Sequence, residues 1–235
     1  MTIEGSDARP TSGALLEIHS LQLGPIGTNC YVVHETGSTS CAVVDPGADH
    51  DVVLELLAAE GLTADAILVT HCHWDHIGGV AGLAAATGAP VWMSETEAIA
   101  LEQPDQFVFP GMPVVEPWRV DHRLAGGERI EVAGIALDVL FVPGHSPGHI
   151  AFVAPGMPDA AGDGFETPPV CFVGDVLFRG SVGRTDLPFA DHATLVKSLG
   201  LLTRRLDPAT LVLSGHGGPT TMDAEIRTNP YLQGI

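Results

Sequence analysis

Short apolar segments alternate with segments of helix formers along most of the chain, and this order predicts an α/β fold. The predicted strands are apolar runs bounded by turn residues, and they cover residues 15–23, 30–34, 41–44, 66–69, 91–93, 129–132, 136–142, 149–153, 170–173 and 211–213. The predicted helices cover residues 51–60, 77–87, 192–206 and 221–228. The whole chain, residues 1–235, is expected to form a single domain of this class.

Three segments depart from this pattern. Residues 1–13 are polar and predict a disordered tail, while residues 155–169 are rich in Gly, Pro and Asp, which predicts a flexible loop. Residues 103–118 place Phe107 and Phe109 among prolines. These aromatic residues either pack beneath a long loop or form a wall of a substrate cleft, and the sequence leaves both interpretations open.

Composition narrows the range of partners. The formal net charge is −19, with 10 Lys and Arg against 29 Asp and Glu, so nucleic acid is not an expected partner. No apolar run approaches the roughly 18 to 20 residues that span a bilayer, and the N-terminus lacks the basic-then-apolar order of a signal peptide. We therefore expect a cytoplasmic protein that acts on a small molecule and does not associate with membranes.

The chain has four cysteines, and none of them belongs to a C-x-x-C pair, so a zinc knuckle or a redox dithiol is not indicated. Cys30, Cys41 and Cys171 lie in predicted strands and are expected to be small core residues. Cys72 is a candidate metal ligand only because of its neighbours in the chain.

Several predicted strands end in a polar turn that carries a candidate metal ligand or a residue that supports one. These residues are Asp45, His71, His145, Asp175 and His216. Open α/β sheets place their ligand sites at such strand ends, where the loops meet. The strand ends are therefore the expected location of a site.

The densest group of candidate ligands is the sequence His71-Cys72-His73-Trp74-Asp75-His76. Its spacing is not that of the H-E-x-x-H helix motif, in which two histidines share a face at i and i+4. In an extended loop, residues i and i+2 project to the same side, so His71 and His73 can bind one ion together. Asp75 and His76 lie at the turn into the next helix and suit a neighbouring ion. Imidazole and carboxylate ligands suit zinc, iron or manganese.

Further motifs follow in order, and together with this cluster they resemble the metallo-β-lactamase superfamily over nearly the whole chain. The resemblance is strongest to its glyoxalase II-like branch, the hydroxyacylglutathione hydrolases and their short bacterial relatives. The matching motifs are Thr28-Asn29-Cys30-Tyr31, Val44-Asp45-Pro46-Gly47, Thr70-His71-Cys72-His73-Trp74-Asp75-His76, Pro143-Gly144-His145-Ser146-Pro147-Gly148, Gly174-Asp175-Val176-Leu177-Phe178, Gly183-Arg184-Thr185-Asp186, Gly215-His216-Gly217, Thr220-Thr221 and Asn229-Pro230. The resemblance implies a four-layer αββα sandwich with metal ions at one rim.

The resemblance also implies a role for each ligand. The first metal would be held by His71, His73 and His145, the second by Asp75, His76 and His216, and Asp175 would bridge both. Two divalent ions are implied, zinc first with iron or manganese as alternatives, and they would share a hydroxide that attacks a carbonyl. Asp75 would also orient this nucleophile, and Asp45 would accept the second N–H of a ligand histidine.

The leading functional expectation from this resemblance is the hydrolysis of thioesters. Larger glyoxalase II enzymes add a C-terminal helical domain with basic and tyrosine contacts to glutathione, whereas this chain continues beyond the last ligand only from His216 to Ile235. Lys197 is the only lysine, so few cations are available for the carboxylates of glutathione. The identity of the thiol carrier is therefore left open.

A different reaction fits some of the same residues. Persulfide dioxygenases resemble this chain in fold and in the stretch Gly183-Arg184-Thr185-Asp186, and they hold a single iron with residues that match His71, His145 and Asp175. The turn Gly215-His216-Gly217 favours a hydrolase, and a lactonase or a β-lactamase is a third alternative. A count of the metal ions per chain separates the first two possibilities.

Three more residues in or near the motifs receive an interpretation. Arg184 and Asp186 are expected to brace the loop after Asp175, with a substrate contact by Arg184 as the alternative. His149 follows the motif around His145 but begins a predicted strand, so we expect a structural role.

Overall fold

Two six-stranded sheets form the centre of the computed structural model, which describes residues 15–107, 111–158 and 165–235. The strands of the first sheet lie side by side in chain order and are β1 (Leu16–Leu23), β2 (Thr28–Glu35), β3 (Ser40–Val44), β4 (Thr63–Leu68), β5 (Val91–Ser94) and β6 (His122–Leu124). β1, β2 and β3 pair antiparallel, whereas β3 to β6 run parallel.

The second half of the chain contributes the remaining strands. They are β7 (Arg129–Val132), β8 (Ile135–Phe141), β9 (Ile150–Ala154), β10 (Met157–Pro158), β11 (Phe165–Thr167), β12 (Val170–Gly174), β13 (Leu177–Phe178), β14 (Ser181–Val182), β15 (Leu211–Ser214) and β16 (Thr220–Thr221). The second sheet has the spatial order β16-β15-β12-β9-β8-β7. β10 pairs with β11, and β13 pairs with β14.

Helices cover the outer faces of both sheets. They are α1 (His50–Glu60), α2 (Trp74–Ile77), α3 (Val80–Thr87), α4 (Ala98–Glu102), α5 (His192–Arg205) and α6 (Met222–Thr228). Side chains alternate between the two faces of each strand, so Val44 lies in the apolar cluster between the sheets while Val43 packs with α1 and α3. In the same way Phe172 lies between the sheets and Cys171 packs with α5. The fold is therefore the four-layer αββα sandwich that was expected.

The structure differs from the sequence prediction where the chain turns most tightly. The helix predicted over residues 77–87 is α3, which begins only at Val80, and a short helix that was not predicted, α2, precedes it and is separated from it by Gly78 and Gly79. A Cβ at Gly78 would lie 2.5 Å from the carbonyl oxygen of Gly47, and one at Gly79 would lie 2.6 Å from that of Pro46. The two glycines thus let the turn after β3 approach the end of α2, the short helix that carries Asp75 and His76.

Other differences concern short elements. β6, α4 and a 3₁₀ turn over Pro104–Phe107 were not predicted, because elements this short carry little periodicity. The loop predicted over residues 155–169 carries the β10–β11 pair, and its residues 159–164 lie outside the described residues, as do the predicted tail at 1–13 and Phe109. In the ranges that the structure describes, no helix has the length and apolar character needed to cross a membrane.

Candidate metal centre

The candidate ligands converge at one edge of the sandwich, and both sheets contribute to them. His71 follows β4 of the first sheet, while His145, Asp175 and His216 follow β8, β12 and β15 of the second sheet. Each residue comes directly or within a few positions after the C-terminal end of its strand. The strand-end pattern in the sequence thus corresponds to a single place in the fold.

The first group of donors consists of three imidazoles, those of His71, His73 and His145. Nε2 of His71 lies 3.0 Å from Nδ1 of His73, and Nε2 of His145 lies 2.9 Å from the same nitrogen. Nitrogens bound to one tetrahedral zinc ion at 2.0–2.1 Å lie about 3.3 Å apart, so this spacing is close to that of a zinc site.

The second group consists of Asp75, His76 and His216. Oδ2 of Asp75 lies 3.4 Å from Nε2 of His76 and 3.3 Å from Nε2 of His216. Asp75 and His76 lie in the first turn of α2, whereas His216 comes from the turn after β15, so the group depends on the close packing of the two halves of the chain.

The carboxylate of Asp175 lies between the two groups. Its Oδ2 is 3.6 Å from Nε2 of His145 in the first group and 3.4 Å from Nε2 of His216 in the second. Its Oδ1 is 3.4 Å from Nε2 of His76. A single carboxylate thus reaches donors of both groups, which is the arrangement needed for a bridging ligand.

Two buried atoms of the candidate ligands lack hydrogen-bond partners. They are Nε2 of His76 and Oδ1 of Asp175. Buried polar atoms in proteins are nearly always satisfied, and a cation between these two would satisfy both. Gly215 keeps the space open, because a Cβ there would lie 2.2 Å from Oδ1 of Asp175. The His and Asp side chains present are therefore able to bind metal.

The protonation states of the imidazoles are also consistent with metal binding. Burial and the neighbouring imidazoles hold the pKa of His71 well below its ordinary value, and burial lowers the pKa of His73 to about 3. Both rings are therefore neutral, with a lone pair free for a metal. Hydrogen bonds to Asp175 and Asp75 instead raise the pKa of His216 to about 9. These two carboxylates therefore favour positive charge at this position.

The ligand histidines are oriented by contacts at their second nitrogen. Nδ1 of His76 lies 2.9 Å from Oδ2 of Asp45, and this carboxylate also accepts hydrogen bonds from the N–H and the hydroxyl of Thr70, both at 2.7 Å. Nδ1 of His145 lies 2.9 Å from the backbone carbonyl oxygen of Arg184. Such contacts fix the ring so that the other nitrogen faces the site.

The comparisons with known proteins agree with this geometry. The family model of the metallo-beta-lactamase superfamily matches residues 23–216, a range that contains all the candidate ligands. The chain belongs to the metallo-beta-lactamase superfamily. The members of this superfamily are generally metal-dependent hydrolases. The chain is therefore a metallo-hydrolase-type protein with donors that can bind metal.

Three similar proteins place the chain within the superfamily. The hydroxyacylglutathione hydrolase GloC of Haemophilus influenzae is 31% identical over 207 residues, which cover 87% of this chain and 92% of the relative. The B3 metallo-beta-lactamase BLEG-1 is 34% identical, with a TM-score of 0.81 and coverage of 93% of this chain and 100% of that chain. TTHA1623, solved in a di-iron-bound form, is 38% identical, with a TM-score of 0.67 and coverage of 91% and 100%.

The first superfamily motif, Thr28-Asn29-Cys30-Tyr31, holds the ligand-bearing turns, a role that the sequence alone did not reveal. The hydroxyl of Thr28 donates to Oδ2 of Asp75 at 2.8 Å. The side-chain amide of Asn29 donates to the carbonyl oxygens of Ser214 and Gly217, both at 2.9 Å, and the hydroxyl of Tyr31 donates to that of Ser214 at 2.7 Å. The turn that carries His216 is thus fixed to β2.

Glu97 is a second residue that the sequence analysis missed. Its carboxylate is buried and accepts hydrogen bonds from the backbone N–H of Cys72 and that of Gly148, both at 2.6 Å. Burial raises the pKa of Glu97, although these hydrogen bonds oppose that shift. One side chain therefore joins the loop of His71 and His73 to the loop after His145. In the sequence, the only signal for this residue is that it is a glutamate shortly after the strand predicted over residues 91–93, and this signal is too weak to identify it.

His149 and Cys72 lie beside the ligands without belonging to the donor groups found in the described residues. His149 is fully buried, its ring stacks on that of His71 at 4.6 Å, and its Nε2 accepts the backbone N–H of Asp175 at 3.1 Å. It therefore supports two ligands. Burial and Glu97 raise the pKa of the Cys72 thiol well above its ordinary value, which disfavours the thiolate that binds metals.

A cleft of about 700 Å³ opens onto the donors. Phe107 lines the cleft, while Phe109 lies outside the described residues. Arg184 also lines it, but its guanidinium donates to both carboxylate oxygens of Asp186 at 2.7 Å. This pair joins two largely exposed side chains that are two positions apart in the loop after Asp175.

Proposed function

We propose that this superfamily member is a binuclear metal-dependent hydrolase of thioesters, with zinc as the metal. The observation that carries the proposal is the complete second donor group. Asp75, His76 and His216 lie beside the three imidazoles of the first group, and Asp175 reaches both groups. An enzyme that holds one iron with two histidines and an aspartate has no need of this second group.

The chain's own residues supply the positioning that such a reaction requires. When bound, two divalent ions polarise a substrate carbonyl and provide hydroxide as a nucleophile at neutral pH. Asp75 lines the floor of the cleft, and the hydroxyl of Thr28 fixes its carboxylate, so Asp75 can orient the attacking oxygen through a hydrogen bond. Asp45 and the carbonyl oxygen of Arg184 hold the rings of His76 and His145.

The relative from Haemophilus influenzae supports a thioester as the substrate class, because it is named a hydroxyacylglutathione hydrolase. The proposed reaction adds water to the thioester carbonyl carbon and breaks the C–S bond. The products are a carboxylic acid and a free thiol, and no oxidant or reductant is consumed.

The test combines a metal count with substrate assays on the purified protein. Elemental analysis is expected to find two metal ions per chain, and the metal-loaded protein is expected to cleave acyl thioesters. One iron per chain with oxygen uptake on a persulfide would instead assign the dioxygenase reaction. Hydrolysis of a lactone or a β-lactam without any cleavage of thioesters would assign another hydrolase reaction, for which the likeness to BLEG-1 gives a precedent.

A further inference from the structure

The cleft above the donors has a polar floor and apolar walls. Its floor includes the side chains of His73, Asp75, His145, Asp175 and His216. Its apolar walls include Ile99, Phe107, Met112, Phe178, Leu187 and Phe189. Small-molecule sites have this construction, in which a few polar groups hold the reacting atoms and apolar side chains bury the remainder of the ligand.

Several apolar side chains at the rim of the cleft are exposed to solvent. Ile26 is 53% exposed, Met112 is 40% exposed and Phe189 is 72% exposed, and all three line the cleft. Phe189 also has a φ of 67°, a left-handed conformation that bulky side chains rarely adopt. Exposed apolar patches around a pocket mark ligand-binding sites, and strained residues collect at such places. The exposed apolar rim indicates an apolar ligand, and the strained backbone of Phe189 is consistent with a functional position at this rim.

The charges in the cleft argue against an acidic ligand. Among the described residues that line it, Arg184 is the only Lys or Arg, and Asp186 already binds its guanidinium. The whole chain carries a formal net charge of −19. Glutathione brings two carboxylates, and the cleft lining has no unpaired Lys or Arg in the described residues to receive them. Recognition through a charged thiol carrier is therefore not built into this surface.

We propose that the walls of the cleft bind the acyl chain of an apolar acyl thioester, whose carbonyl lies at the floor and whose thiol needs no charged partner. This inference rests on the thioester hydrolysis proposed above and names its substrate class. The chain of the acyl group would extend from the donors along Phe107 and Phe189 toward the rim. Each methylene removed from water would then favour binding.

The test compares chain length and thiol in one panel. The metal-loaded protein is assayed with acetyl, butanoyl, hexanoyl and octanoyl thioesters of N-acetylcysteamine, a small uncharged thiol, and with the same acyl groups on glutathione. We expect kcat/KM to rise roughly fourfold for each methylene until the cleft is filled, and glutathione to give no advantage.

The outcomes separate the two proposals. A flat response to chain length, or a consistent preference for glutathione, would overturn the assignment of the cleft and leave thioester hydrolysis in place. Failure to cleave any thioester in the panel would overturn the proposed function, and the substrate class with it.

A matched pair of variants tests the walls directly. Ile26→Ala removes an exposed side chain at the rim, whereas Ile226→Ala removes an exposed isoleucine on α6 that does not line the cleft. The preference for octanoyl over acetyl thioesters is expected to fall about tenfold in Ile26→Ala only. Calorimetry with the non-hydrolysable S-octyl ether of N-acetylcysteamine adds a second readout, because burial of the chain makes the heat capacity change of binding more negative. Equal selectivity in both variants would contradict the proposal.

Discussion

The two donor groups of the metal centre differ in charge and in access to solvent. The first contains only imidazoles, and burial keeps His71 and His73 neutral. The second contains a carboxylate and two histidines. Each group has one partly exposed ligand, His73 in the first and His216 in the second, and His216 is the less buried of these two. The first group is therefore the more buried site, with nitrogen donors only, whereas the second is the more open site and favours positive charge through Asp75 and Asp175. We expect the second site to exchange its ion more readily.

The largest effect is expected from removing the carboxylate that the two groups share. Asp175→Asn keeps the shape of the side chain but removes the charge between the groups, so kcat/KM for a thioester should fall by about a thousandfold. Steady-state kinetics together with a metal count measures this. Asp138→Asn, at a half-exposed position on β8, is the control and should retain activity. A loss of less than about tenfold would rule out a bridging role.

A second variant tests whether the groups bind their ions separately. His216→Ala removes a donor from the open group only, so we expect the metal content to fall from two ions per chain to one and kcat/KM to fall about a hundredfold. Elemental analysis after dialysis measures the first quantity. His192→Ala, at the exposed start of α5, should keep both ions. Loss of both ions from His216→Ala would show that the two groups are not independent.

Glu97→Gln tests the support of the buried group. The glutamine presents an N–H₂ to one of the two backbone N–H groups that the carboxylate now binds, so the loops of the first group should loosen. We expect the affinity of the tighter metal site to fall about tenfold and the free energy of unfolding to fall by about 1–3 kcal/mol.

A competing chelator and urea unfolding measure these two quantities. Glu95→Gln changes an exposed glutamate two positions earlier and should alter neither. A loss of stability with unchanged metal affinity would leave Glu97 only a structural role.

That the donors come together could be predicted from the sequence, because four of them lie within residues 71–76 and the others follow apolar strands. The contacts that orient them could not be predicted. Thr28 and Asp75 are 47 positions apart, and Glu97 binds backbone groups 25 and 51 positions away. In a sequence, such a glutamate looks like any solvated one, and only the closure of two loops over it makes it a buried acceptor.

The same reasoning applies to the fold. Strands such as β3 and β12 were predicted because they are apolar on both faces, which the four-layer architecture explains: one face meets the other sheet and the opposite face meets a helix. The start of α3 was predicted three residues too early, and α2 was not predicted, because the cause of the break between them is not local. The glycines at 78 and 79 accommodate backbone atoms of residues 46–48, and a helix propensity scale does not include that contact.

The smallest expected effect tests whether the strained backbone of Phe189, in the cleft wall, serves substrate binding. Phe189 and Ala133 both have a positive φ, 67° and 51°. Glycine adopts this conformation without strain, so Phe189→Gly should raise the free energy of unfolding by about 0.5–1 kcal/mol, since this side chain is largely exposed. Ala133→Gly is the matched control and should gain less, because it loses a buried methyl group.

The two variants should differ more in activity than in stability. Phe189→Gly removes part of the cleft wall and should lower the preference for long acyl chains, whereas Ala133→Gly lies outside the cleft lining and should not. Urea unfolding and the thioester panel measure both quantities. A more stable but less selective Phe189→Gly would mean that the strain at this position is retained for substrate binding beside the open metal site. A more stable variant with unchanged selectivity would show that Phe189 does not contribute to binding of the acyl chain.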